Sequence, residues 1–355
     1  MTQKNKKKPR PGSTAWVSYI HPFQLIVPDG EKPMDLTLDE VNSNRYDHEE
    51  LCRIVGILDV LDLARYKMLV CYDGALAIPM CDKYRHKEMA VDIFNKIICQ
   101  LLLGGILCEA IDQKDVVGGW LYEQRLIWPV NIGESNSSQM NARLRFHYGS
   151  HIDLIILSKP RSLAFSEFKN ALDIGSQYLR RIPNLTPTFL VRGITEMRYK
   201  NWSLSLSNLW ITIEQLTDHL WNSSFMGNPL MHPKNNILGR SIALKQDNRT
   251  WSSSVKQELL YQTKILDDYT FERLYPGRQA RNNLVHDGKQ VDQKIVLGVC
   301  EALLQMMRVC CEEVDLPLEK LEFIPERFYG ERVDFQEDFS DWEELSNCGS
   351  ITTLE

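Results

Sequence analysis

The chain has 355 residues, a formal charge of −6, 43% hydrophobic and 25% charged residues, the composition of an ordinary soluble globular protein long enough for about two domains. Its longest apolar stretches, 97–107 and 296–309, fall short of the roughly 18–20 residues of a membrane span, and the basic start MTQKNKKKPRPGS has no apolar segment behind it, which argues against a secretory signal. The nine cysteines are odd in number and form no C-x-x-C, so reduced thiols in a cytoplasmic protein are expected rather than a disulfide scaffold or zinc ribbon.

Residues 1–14 read as a basic, solvated tail, its cluster Lys6, Lys7, Lys8 and Arg10 free to touch RNA. The run WVSYIHPFQLIV (16–27) predicts a strand, or two strands broken at Pro22. Leu51, Ile54, Val55, Leu58 and Leu61 recur with helical spacing and predict a helix over 48–66. Two apolar runs flank Asp73-Gly74 and predict a hairpin. A long buried helix is expected over 87–110, weakest at Gly104-Gly105. In 142–157, Ala142, Leu144, Phe146 and Tyr148 alternate with Arg143, Arg145 and His147, which predicts a strand whose basic face meets solvent.

From about 161 onward the pattern is helical. Helices are expected over 162–179 and 188–200. Leu206, Leu209, Trp210, Ile213, Leu216 and Leu220 predict an amphipathic helix over 204–222, and a loop over 222–239 follows. Further helices are expected over 252–266, over 269–285 with a break at Pro276-Gly277 and a stop at Asp287-Gly288, and over 291–314. The fold class that results is mainly α with an α+β N-terminal domain and a C-terminal four-helix bundle. The domains are a basic tail at 1–14, an α+β sensor or recognition domain at 15–200, the bundle at 201–318 and an acidic tail at 319–355. From Glu326 onward nine acidic residues face two basic ones, so that segment carries −7 and the rest of the chain +1. The net charge therefore does not exclude a nucleic-acid partner, and the tail is expected to fold over the basic Arg278–Arg281 region until displaced.

One segment stands out for chemistry: Arg278-Gln-Ala-Arg281-Asn282-Asn283-Leu284-Val285-His286-Asp287. On a helix Asn282 and His286 are i and i+4 and share a face. An imidazole can take the 2′-OH proton of RNA or supply one to the leaving oxygen. A guanidinium can grip and neutralise the phosphate, and Asn can orient either group. No metal is required, because the nucleophile belongs to the substrate. Spacing alone is weak evidence: about one or two Arg-x4–6-His matches are expected by chance, and a second one runs from Arg145 to His151.

In its helical setting the RNNLVH segment resembles the Arg-polar-x3–5-His motif of the HEPN superfamily, specifically the ApeA-like kind. The segment NLWITIEQL, including Glu214, looks like the opening helix of those domains, and the resemblance covers about a third of the chain. It implies a metal-independent endoribonuclease without cofactors, with Arg281, Asn282 and His286 catalytic. Arg278 would add a substrate contact. It also implies a composite site at a homodimer interface, cleavage to a 2′,3′-cyclic phosphate or 3′-phosphate and a 5′-hydroxyl, and a role in antiviral defence or toxin-like growth arrest. A phage or antitoxin protein would be the trigger. No membrane partner is expected.

Two alternatives stand beside it. Asp153 in IDLIIL and Glu167-x-Lys169 would match the Mg²⁺-binding strands of a restriction-endonuclease-like nuclease. A HEPN bundle can also serve only as a dimerisation or regulatory module. No P-loop, Rossmann fingerprint or H-E-x-x-H is present, the remaining histidines have no ligand spacing, and the tryptophans read as packing.

Overall fold

The computed structural model describes residues 13–61, 65–226, 250–313 and 315–323. The basic cluster at Lys6–Lys8 and Arg10, most of the expected 222–239 loop, and the acidic segment from Glu326 lie outside the described residues.

In chain order the elements are β1 (Ser13–Tyr19), β2 (Leu25–Val27), α1 (Leu38–Asn42), α2 (His48–Cys52), β3 (Ile54–Leu58), β4 (Met68–Cys71), β5 (Ala75–Pro79), α3 (Lys87–Leu103), β6 (Val117–Tyr122) and β7 (Leu126–Pro129). Then come α4 (Asn136–Arg145), α5 (His151–Leu154), β8 (Ser162–Ala164), α6 (Phe165–Arg181), α7 (Pro187–Arg198) and α8 (Trp202–Trp221). The described chain ends with α9 (Ser253–Gln262), α10 (Asp268–Asp287) and α11 (Gln293–Cys311), besides short 3-10 turns and a π-helical turn at Asn222–Met226. The protein is thus mainly helical with an antiparallel sheet in its N-terminal half. No helix among the described residues is long and apolar enough to cross a membrane.

The sheet runs β3-β4-β5-β1-β6-β7, every pair antiparallel. A bridge between Arg53 and Leu126 and a bond from Ile54 N to Arg125 O (2.8 Å) join its two edges, so it curls into a small closed cup. Closure removes exposed edges. Ala15, Val17, Tyr19, Cys71, Ala75, Ala77, Val117 and Ile127 form the inner cluster. The expected strand pair around Pro22 and the Asp73-Gly74 hairpin are both formed, Gly74 taking φ 78°. A separate parallel pair, β2 with β8, brings residues 25–27 beside 162–164.

Two expectations are corrected. Among the described residues of the 48–66 segment only His48–Cys52 is helical; Ile54–Leu58 is strand β3, paired with Met68–Cys71. The spacing of Leu51, Val55 and Leu58 suits a helix, but β-branched Ile54, Val55 and Ile57 find a long-range strand partner. The strand over 142–157 is not formed: Asn136–Arg145 and His151–Leu154 are helical. The buried positions of α4 are Ser138, Asn141, Ala142, Leu144 and Arg145, a helical spacing carried largely by polar residues. The apolar residues alone mimic the period of a strand.

Downstream the helices follow the apolar spacing. α8 buries Leu206, Leu209, Trp210, Ile213, Leu216 and Leu220. It packs against α7, α9, α10 and α11, and α3 packs against α6 and α7. Helices on both sides of residue 200 therefore form one packed layer. α10 runs without a break through Pro276, contrary to the sequence expectation. Pro276 is exposed, so its ring and the carbonyl it leaves unbonded face solvent, while Leu274 and Gly277 are buried.

Candidate functional site

The last two and a half turns of α10 carry the residues singled out by the sequence. Gly288 caps them in the left-handed region at φ 65°, its N–H donating to Asn283 and Leu284 carbonyls. Val291 N donates to Ser203 Oγ at 3.4 Å and Ser203 Oγ to Gln290 Oε1 at 3.1 Å, which ties this end to the first turn of α8. At the other end of α10, Tyr269 Oη and Arg273 Nε both donate to Glu301 of α11 at 2.7 Å. The helix is therefore anchored at both ends, and none of Arg278–Asp287 is buried.

Tyr275, Gln279, Asn282 and His286 fall on one line along α10, spaced i, i+4, i+7, i+11, and all are exposed. Arg278 and Val285 flank that line, and the Arg278 guanidinium lies 5.6 Å from the Tyr275 ring centroid. Arg281 stands about 140° round the helix from His286. Its Nη1 donates to Asn282 Oδ1 at 3.4 Å, which turns the guanidinium toward the line. The His286 imidazole has no hydrogen bond or ion pair with a described residue, and neither Arg278 nor Arg281 pairs with a described carboxylate. Asp287, the nearest acid in sequence, pairs with Lys289 at 3.2 Å. Glu214, part of the resemblance, accepts from Trp210 Nε1 at 3.0 Å. The arrangement presents one imidazole and two guanidiniums without a described carboxylate partner at the end of one helix. It can hold a phosphate and exchange a proton with a neighbouring oxygen.

The other candidates are differently placed. Arg145 is not on a solvent face as expected but fully buried, at 0% exposure. Its Nε and Nη2 donate to Asp73 at 2.6 and 2.5 Å, and Nη1 donates to Ile127 O at 2.7 Å. Burial opposes its charge, yet the Asp73 carboxylate outweighs that and holds its pKa well above the usual value. This second Arg–His match is a structural plug at the floor of the sheet, with the guanidinium 5.2 Å from the Tyr19 ring. His151 is exposed on α5.

Asp153 sits on a short helix, not on a strand. Arg143 binds both its oxygens at 2.9 and 2.8 Å, and Ser150 N and Oγ donate to it at 3.0 and 2.9 Å. The Arg143 bonds lead in lowering its pKa to about 2. Glu167 lies in the first turn of α6 and accepts from Ala164 N at 3.1 Å, and Lys169 is exposed. The two-strand carboxylate arrangement of a restriction-endonuclease-like site is not formed. Cys52 and Cys71 are thiols pushed up by burial to about 12 and 11, which disfavours thiolate chemistry.

Sequence reasoning missed the Arg145–Asp73 pair, because 72 positions separate its members and nothing local links them. It also missed the inner face of the sheet, whose only signal is the small residues Ala15, Ala75 and Ala77 at alternate strand positions. No family model, curated protein or solved structure matches the chain.

Proposed function

We propose that the protein is a metal-independent endoribonuclease of HEPN type, with α8–α11 as its four-helix bundle. The observation that carries the reading is the end of α10. His286 is exposed there and Arg278 and Arg281 are half-buried, without a described carboxylate bound to any of them, on a helix fixed at both ends to its neighbours. His286 acts as the general acid or base toward the 2′-OH or the leaving oxygen. Arg281 stabilises the charge that builds on the phosphorus oxygens, Asn282 orients that guanidinium, and Arg278 adds a phosphate contact.

A single helix end with one imidazole supplies one proton-transfer group. Two copies facing each other would supply an acid, a base and a cleft between them, so the active species is a homodimer. Tyr275 and Val285, 59% and 58% exposed beside the polar line, are apolar area available for that pairing. The N-terminal half then serves as sensor or recognition domain, and the biological setting is antiviral defence or toxin-like growth arrest, with a phage or antitoxin protein as trigger.

The test is the end chemistry of the products. Cleavage of labelled RNA is expected to leave a 2′,3′-cyclic phosphate or 3′-phosphate and a 5′-hydroxyl, with activity rising with the dimer fraction measured by light scattering. Products bearing 5′-phosphates, or no cleavage by the dimer, would overturn the reading and leave the bundle as a non-catalytic module.

A further inference from the structure

From Tyr275 to His286 the chain reads YPGRQARNNLVH, two arginines and a histidine with no acid among them. The acids next to it in sequence are engaged or lie at its limit. Asp287 pairs with Lys289, and Asp292 accepts from Lys294 N as the cap of α11. Glu272, three residues before Tyr275, closes the line at its far end. Lys294, in the first turn of α11, is exposed and has no ion pair with a described carboxylate. The charge of this helix face suits a polyanion.

The same face carries a group that a phosphate does not need. Tyr275 is 59% exposed, and the Arg278 guanidinium lies 5.6 Å from its ring centroid. Aromatic rings and guanidinium planes are the surfaces on which unpaired bases stack. One turn on, exposed Gln279 offers an amide that can both donate to and accept from a base edge. An RNA duplex keeps its base faces stacked on one another, so only a single strand can use these groups. Tyr275 and His286 are eleven residues apart, about 16 Å along the axis of α10. That span is roughly five nucleotides of a stacked strand at about 3.4 Å each, and fewer of an extended one. The ring therefore meets a nucleotide some way along the strand from the one at His286. Val285, next to His286, is the apolar residue left to the pairing of copies at the reacting centre.

We propose that α10 is a single-stranded RNA platform, one base stacking on Tyr275 beside Arg278, a few nucleotides from the cut. Its distance from the cut rests on the nuclease reading of His286; the binding itself does not. Fluorescence anisotropy of the full-length protein with a labelled oligouridylate, 2′-O-methylated so that no 2′-OH can react, measures binding apart from cleavage. Saturable binding is expected, weaker for the same strand annealed to its complement. Tyr275→Ala is expected to weaken it roughly 5- to 100-fold, the worth of one stacked base, and Tyr275→Phe to preserve it. Tm and the dimer fraction by light scattering are expected to stay unchanged in both variants. With 5-iodouridine in the strand, photo-crosslinks are expected on the peptide that contains Tyr275. No binding, equal binding by Tyr275→Ala, equal binding of the duplex, or loss of the dimer together with the RNA would overturn the proposal. Cleavage that Tyr275→Ala leaves at unchanged KM overturns this platform and leaves the nuclease reading standing. Tyr275-dependent binding without any cleavage does the reverse.

Discussion

Arg145 and His286 are opposite cases of one physical rule. The Arg145 charge is tolerable only because Asp73 and the Ile127 carbonyl meet its N–H groups. Removing one partner of such a pair leaves an unpaired buried charge, so Asp73→Ala is expected to cost about 3–5 kcal/mol in urea unfolding. His286 is exposed and bonded to no described residue, so His286→Ala is expected to change stability by less than about 0.5 kcal/mol. Residue-level pH effects follow from two other groups. Burial lowers His21 from 6.5 to about 4. The unfolded chain takes up the proton first, so this stability is complete above pH 6.5 and lost as the pH falls from 6.5 to 4. Urea midpoints across that window are expected to fall in wild type and to fall less in His21→Asn. Asp153 is lowered from 3.8 to about 2, led by its bonds to Arg143. Its contribution of about 2 kcal/mol is present above pH 3.8 and lost as the pH falls through 2, and Asp153→Asn is expected to forfeit it at pH 7. The residue types at 281, 282 and 286 were legible in the sequence. The burial of Arg145 was not, because alternation with apolar neighbours looks the same whether a strand faces water or a helix faces a carboxylate.

Among the elements, α10 ties fold to site. A Cβ at Gly277 would lie 2.4 Å from Val299 Cγ2 and 3.1 Å from Trp210, so α10 approaches α8 and α11 closely at that point. Gly277→Ala is expected to lower Tm, at a cost of about 1–3 kcal/mol. Pro276→Ala on the exposed side restores an N–H to the helix and is expected to raise Tm. A fall in Tm with Pro276→Ala would mean that the proline sets the course of the helix end. The helices α3, α6, α7, α8 and α11 were legible because their buried faces are apolar at 3–4 residue spacing. β3 and α4 were misread for complementary reasons. β3 depends on a partner strand ten or more residues away, and α4 turns polar residues inward. The apparent break at Pro276 was a local signal overridden by packing at Leu274 and Gly277.

For the whole molecule, a curled sheet plugged by α4 stands beside a helical layer running from α6 to α11, and the proposed chemistry sits at the end of one helix in that layer. The net charge of −6 says little about this surface. What bears on nucleic acid is local: Arg278 and Arg281 lack described acidic partners, whereas Arg273, Arg308 and Arg181 are each held by a glutamate. The central claim is that His286 performs proton transfer in RNA cleavage without a metal. The most direct measurement is the cleavage rate of RNA in excess EDTA, wild type against His286→Ala at equal concentration and equal Tm. Wild-type cleavage is expected to persist in the chelator and to fall at least about 10²-fold in the variant, the usual scale of general acid–base catalysis. Equal rates for the two proteins, or wild-type cleavage that EDTA abolishes, would contradict it.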